Sequence, residues 1–187
     1  MRQHAFLIAA VALLGGCGDE PTAVAATDGL LEARGPSAEQ QALAAARRAT
    51  ARFHRFEVAY AANYTFLFMN SCMMDPSGLD RGGMGYHYVN TDLLDADLDP
   101  ATPEAVLYEP GPNGQLRLVG LEYVIPAAAW QSADPPVLFG RQLTLNAFDL
   151  WALHVWIGKR NPSGIYADWN PNVDCDNATT VAAAAHH

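Results

Sequence analysis

Of the six histidines in the sequence, two stand where an imidazole could do buried chemistry. His87 lies in Met84-Gly85-Tyr86-His87-Tyr88-Val89 and His154 in Leu153-His154-Val155-Trp156, while His54 sits among arginines. An imidazole enclosed by Tyr, Val, Leu and Trp needs a polar partner. Glu109, in Leu107-Tyr108-Glu109-Pro110, and Glu122, in Gly120-Leu121-Glu122-Tyr123, occupy equally apolar runs. A carboxylate is rarely buried unpaired. Two imidazoles and one carboxylate on a single sheet face would suit a transition metal, Zn, Cu or Fe. His87, His154, Glu122 and Glu109 are therefore candidate metal ligands, and hydrogen-bonded His–Glu core pairs are the alternative. No residue is assigned a catalytic role; an enzyme would need an open coordination position there that activates water or oxygen.

The elements that must carry these residues follow from periodicity. Met84–Val89 alternates, with His87 and Val89 on one face and Met84, Tyr86 and Tyr88 on the other. Glu104–Glu109 and Leu116–Ile125 read as two strands, Pro135–Gly140 as an extended segment, and Leu150–Ile157 as a strand or short helix. A two-residue turn at Asn113-Gly114 would pair Ala105 with Glu122 and Leu107 with Gly120. Glu109 and Glu122 would then share a face about 13 Å apart, too far for one ion, which ranks Glu122 first. Ahead of the strands, Ser37-Ala38-Glu39-Gln40 has the form of a capping box. An apolar stripe through Phe53, Phe56, Tyr60 and Tyr64 predicts one helix over Ala38–Tyr64. The expected fold is α+β: one long N-terminal helix packed on a curved, mainly antiparallel sheet of about five strands.

Other sites are weaker or absent. Asp95, Asp97 and Asp99 alternate like the start of a calcium loop, but Pro100 and Ala101 stand where such a loop needs glycine, and Glu104 falls too early to close it. Arg47, Arg48, Arg52 and Arg55 form either an anion site or a solvated helix face. Trp130, Trp151, Trp156 and Trp169, with Tyr86, Tyr88, Tyr108 and Tyr123, line either an apolar ligand pocket or the core. The sequence has no Gly-x-Ser-x-Gly, P-loop, His-Glu-x-x-His or Cys-x-x-Cys. Those motifs are local, so their absence counts against the corresponding chemistries.

The 187 residues suffice for one domain. With 11 Lys+Arg against 20 Asp+Glu the net charge is -9, which repels phosphate backbones and argues against a nucleic-acid partner. The apolar run Ala5–Leu14 spans about 15 Å, half a hydrocarbon core, and reads as a signal peptide rather than a membrane helix. It ends in Leu14-Gly15-Gly16-Cys17, the form of a lipobox in which the Cys17 thiol takes up diacylglycerol. The expected organisation is a signal peptide over 1–16, lipidated Cys17 and tether over 17–36, one domain over 37–177, and a tail over 178–187. His186 and His187 in that tail read either as native residues or as a tag remnant. The lipid bilayer is the expected partner, with a small ligand or an envelope protein besides. Export to an oxidising compartment leaves Cys72 and Cys175 as a candidate disulfide, two buried thiols being the alternative.

Met84-Gly85-Tyr86-His87-Tyr88-Val89-Asn90, Leu107-Tyr108-Glu109-Pro110, Leu118-Val119-Gly120-Leu121-Glu122-Tyr123 and Leu153-His154-Val155-Trp156 carry a resemblance. Asn161-Pro162-Ser163-Gly164 and Trp169-Asn170-Pro171-Asn172-Val173 extend it. Together they resemble a family of uncharacterised exported bacterial proteins over about residues 38–175. The resemblance implies one shared domain with a Cys near its C-terminus, and brings no established activity. Some family members carry further histidines just before Leu-His-Val-Trp; here Thr144–Asp149 has none, so the resemblance adds no ligand there. The expectation is a lipid-anchored extracytoplasmic protein that binds a metal ion or small ligand. A metal-dependent envelope enzyme and a non-catalytic envelope interaction module are the alternatives.

Overall fold

The computed structural model describes residues 35–178. The predicted signal peptide, Cys17, the tether through residue 34 and the tail from residue 179 lie outside the described residues, as do His4, His186 and His187. Helix α1 (Ala38–Thr50) begins at the expected capping box: Gln40 N–H donates to Ser37 Oγ at 3.2 Å, and Ser37 N–H donates to Gln40 Oε1 at 2.8 Å. A 3-10 turn over Ala51–His54 continues it. The chain then leaves helical geometry at Arg55 (φ -96°, ψ 110°) and restarts as α2 (Phe56–Ala61). The single helix expected to reach Tyr64 is thus broken. An uninterrupted helix would give the Phe53 carbonyl to the amide four residues on; here it accepts from the Tyr108 hydroxyl at 2.6 Å. Tyr64 lies beyond α2, buried, with its hydroxyl on the Pro103 carbonyl at 2.7 Å. Arg47, Arg48, Arg52 and Arg55 are exposed, as a solvated face requires.

The strands are β1 (Phe66–Leu67), β2 (Met73–Met74), β3 (Gly83–Val89), β4 (Ala105–Pro110), β5 (Leu116–Pro126), β6 (Val137–Leu138), β7 (Arg141–Gln142), β8 (Thr144–Leu145) and β9 (Leu150–Val155). The main sheet runs β1-β3-β4-β5-β9-β8, with β2 also on β3, and all its pairings are antiparallel. β6 and β7 form a separate hairpin. The chain is mixed α+β with an antiparallel sheet of seven strands, not about five. Four of the five expected segments are in this sheet, and Pro135–Gly140 falls in the β6–β7 hairpin. The three unexpected members, β1, β2 and β8, are two residues long, too short for alternation to reveal.

Ala105 pairs with Glu122 and Leu107 with Gly120, as expected, although the turn between the strands differs. Gly111 N–H donates to the Gln115 carbonyl at 2.8 Å, and Gly114 takes φ 74°. That turn is one residue wider than Asn113-Gly114 alone, so Tyr108 pairs with Leu118 and Glu109 with Arg117. Val119 is then left over as a β-bulge, which restores the expected pairing beyond it. Its carbonyl accepts from both Gly158 and Lys159 amides at 3.0 Å.

One sheet face packs Tyr86, Tyr88, Val106, Tyr108, Leu121, Tyr123, Leu153 and Val155 into a core with Leu43, Phe53, Ala59 and Phe139. Tyr86, Tyr88, Tyr108 and Tyr123 are therefore core, not pocket lining. On the opposite side Leu107, Val119 and Trp156 cluster with Val173 of the C-terminal segment. Trp156 Nε1 donates to the Ala167 carbonyl at 2.6 Å. Gly83 and Asn170 exchange backbone hydrogen bonds of 3.2 and 3.0 Å. Gly82, at φ 82°, permits that approach, because a Cβ there would stand 2.1 Å from the Asn170 carbonyl oxygen. The segment is then tied down by the Cys72–Cys175 disulfide, with Cα atoms 5.8 Å apart.

Candidate metal centre

Strand alternation from the Ala105–Glu122 pair puts His87, Glu122 and His154 on one face. Glu122 stands directly opposite His154 across β5 and β9, and pairs on its other side with Ala105, whose small side chain leaves the carboxylate free to reach toward β3. His87 enters from β3, in the row of Leu107 and Gly120. The three side chains converge. His87 Nε2 and His154 Nε2 are 3.3 Å apart, and Glu122 places Oε2 3.7 Å from the first and Oε1 3.6 Å from the second. Among the described residues these three form the group able to offer three ligand atoms, all within 4.8 Å of one another. Two nitrogens each about 2.0–2.1 Å from a tetrahedral Zn stand about 3.3–3.4 Å apart, so the imidazoles already hold that spacing.

Protons alone satisfy this cluster poorly. A hydrogen bond between the two Nε2 atoms needs one ring protonated there and the other not, and the Glu122 oxygens, at 3.6 and 3.7 Å, stay beyond hydrogen-bond distance of both. His87 Nδ1 is buried without a hydrogen-bond partner. Burial pushes His87 down to about 4, with neighbouring His154 adding to the fall and Glu122 opposing it. Burial also acts downward on His154, but the Glu122 and Asp168 carboxylates outweigh it and raise this ring. Asp168 in turn is lowered by His154, whose Nδ1 lies 3.9 Å from its Oδ1, an ion-pair separation longer than a hydrogen bond. A carboxylate behind the second nitrogen of an imidazole is the usual outer partner of a metal-bound histidine.

His87, Glu122, His154 and Asp168 all line one cavity of about 750 Å³. His87 and His154 are buried, whereas Phe66, Met74 and Phe148 at the walls are about half exposed. Phe68 packs edge-on against Phe148, ring centroids 5.1 Å apart. Of the tryptophans read as either lining or core, Trp169 is in the wall. Trp156 instead stacks on the His154 ring, at 6.1 Å and 12°, over Gly120, where a Cβ would press on it at 3.2 Å. Trp151 packs with the helix-side core, and Trp130 donates to the Asp134 carbonyl. Met84, expected on the Tyr86 face, lines the cavity. It is the unpaired residue between Met73–Gly85 and Met74–Gly83, and Gly85 at φ 84° makes the turn.

Glu109 is not part of the group. It pairs with Lys159 toward the hairpin end and lines a separate cavity. Asp95 and Asp99 are exposed and cap backbone amides of Asp97 and Ala101 at 2.8 Å. Sequence reasoning missed Asp168 and the Phe66, Phe68, Met74 and Phe148 walls; a single carboxylate among aromatic turns was the one signal for the former. No family model, curated protein or solved structure matches the chain.

Proposed function

We propose that this chain is an exported, lipid-anchored protein of the cell envelope that holds a transition metal at His87, Glu122 and His154. The observation that carries the reading is the convergence of two buried imidazoles and one carboxylate at metal-ligand spacing. Borderline-soft nitrogen donors with one carboxylate suit Zn, and also Cu or Fe. The reading needs the sheet to curl toward this face. Flat strands three places apart lie about 14 Å apart, beyond the reach of two imidazoles, whereas these meet at 3.3 Å. Export is supported by the lipobox-like Leu14-Gly15-Gly16-Cys17 and by the Cys72–Cys175 disulfide, a bond favoured in oxidising compartments. The resemblance to exported bacterial proteins points the same way.

Elemental analysis of Gly18–Asn177, purified without chelating resin, tests the metal. Near-stoichiometric metal in wild type and none in His87→Ala/His154→Ala supports the reading. Metal in neither, with the variant only less stable, overturns it. The cavity over the cluster favours a second reading, a metal-dependent envelope enzyme that activates water at the remaining coordination position. Turnover abolished by chelator and restored by metal is its mark. A metal-free protein indifferent to both substitutions would instead leave a protein-interaction module.

A further inference from the structure

The cavity separates its polar and apolar groups. The titratable side chains, His87, Glu122, His154 and Asp168, lie together. Thr144 and Asn146 also line the cavity, the Asn146 oxygen being taken by the Phe148 and Leu150 amides. Phe66, Phe68, Met84, Leu94, Val124 and Phe148 supply much of the remaining wall. About 750 Å³ falls within the range of small-molecule sites. Phe66, Met74 and Phe148 are 52%, 44% and 48% exposed, although side chains of this kind gain from being covered.

A divalent ion at two neutral imidazoles and one carboxylate retains one positive charge, and an anionic head placed on it would neutralise that charge. A ligand that fills the rest must be apolar, because the walls offer it few hydrogen bonds. We infer that the cavity binds a small amphipathic monocarboxylate, its carboxylate on the metal and its hydrocarbon body against Phe66, Phe68 and Phe148. This rests on the metal reading given above, and goes beyond it by naming the ligand class.

The probes are sodium decanoate, sodium butyrate and 1-decanol, titrated into the Co(II)-loaded protein and followed by the cobalt d–d spectrum and by calorimetry. Decanoate is expected to shift the spectrum and to bind at least tenfold more tightly than butyrate or decanol. Phe148→Ser, at a half-exposed position, is expected to weaken decanoate at least fivefold and leave butyrate unchanged; circular dichroism checks that the variant is folded. Cobalt uptake without any decanoate-induced spectral change overturns the ligand assignment and leaves the metal reading standing. Equal binding of butyrate and decanoate removes the role of the walls and overturns it too. Failure of the folded wild type to take up cobalt defeats the metal reading, and the ligand assignment falls with it.

Discussion

Glu122 and His154 face each other in register across β5 and β9, and the same carboxylate reaches within 3.7 Å of His87 two strands away. Glu122 therefore acts on both rings. In the metal-free protein burial lowers His154 while Glu122 and Asp168 raise it further, so its charge depends on that carboxylate. Glu122→Gln is expected to move the His154 midpoint below its wild-type position in an NMR titration. Metal affinity should fall at least tenfold, because the amide oxygen keeps the geometry and loses the charge.

Asp168 touches the centre only through His154 Nδ1, at 3.9 Å. Outer partners of metal-bound histidines typically contribute about 10–100-fold in affinity. The long, half-solvated contact places Asp168→Asn near the lower figure. Competition with a chromophoric chelator measures it, and an unchanged affinity would deny Asp168 any orienting role.

Glu104 is almost wholly buried, and burial pushes its carboxyl up to about 8 although the Val124 amide donates to it at 2.9 Å. A folded value above the unfolded one means that its contribution to stability is complete below about pH 4.5 and lost as pH rises through about 8. The slope from this one group is at most about 1.4 kcal/mol per pH unit. Glu104→Gln keeps an acceptor for Val124 and should flatten that decline in urea melts between pH 5 and 8. An unchanged slope would mean that the carboxyl is not titrating in that window.

Tyr108→Phe removes the donor on the Phe53 carbonyl and leaves that buried oxygen without its partner. The expected cost is about 1–3 kcal/mol. The freed carbonyl is also expected to let helix propagate through Arg55. Denaturant melts report the first effect, and a gain in helical circular dichroism signal reports the second.

The disulfide closes a separation of 103 residues and anchors the segment that carries Asp168. Cys72→Ser/Cys175→Ser is expected to cost up to about 4.7 kcal/mol, the chain-entropy figure for a loop of this size. Its metal affinity should drop about as far as that of Asp168→Asn, since the same carboxylate loses its hold. Equal affinity would show that the bridge serves stability alone.

Strand-borne features were legible in the sequence because a period of two fixes sides. Alternation around His87 follows from it. Pairing of Ala105 with Glu122, and with it the distance of Glu109, was expected from a two-residue turn at Asn113-Gly114 and holds because the Val119 bulge offsets the wider turn. The capping box at Ser37 was legible because its partners are three residues apart. Legibility ended where distant groups intervene. The helix stripe continued past Arg55, but a tyrosine more than 50 residues away competes for the Phe53 carbonyl. The cavity walls come from β1, the turn around Phe148 and a bulge at Met84, none of which carries a period. Aromatic density alone left pocket and core open for Tyr86, Tyr88, Tyr108 and Tyr123, and all four build the helix-side core.

The Val119 bulge holds one residue that has no partner in β4. Leu118 and Leu121 stand three positions apart, which in a regular strand would set them on opposite faces. The bulge lets both enter the helix-side core while Glu122 stays opposite Ala105. Deleting Val119 would leave Tyr108–Leu118 and Leu107–Gly120 as successive pairs, and Glu122 would keep its face. Deleting Leu121 instead would exchange the faces and drive Glu122 into the aromatic core. A change of length in this strand is therefore harmless to the ligands at the bulge and ruinous two residues further on.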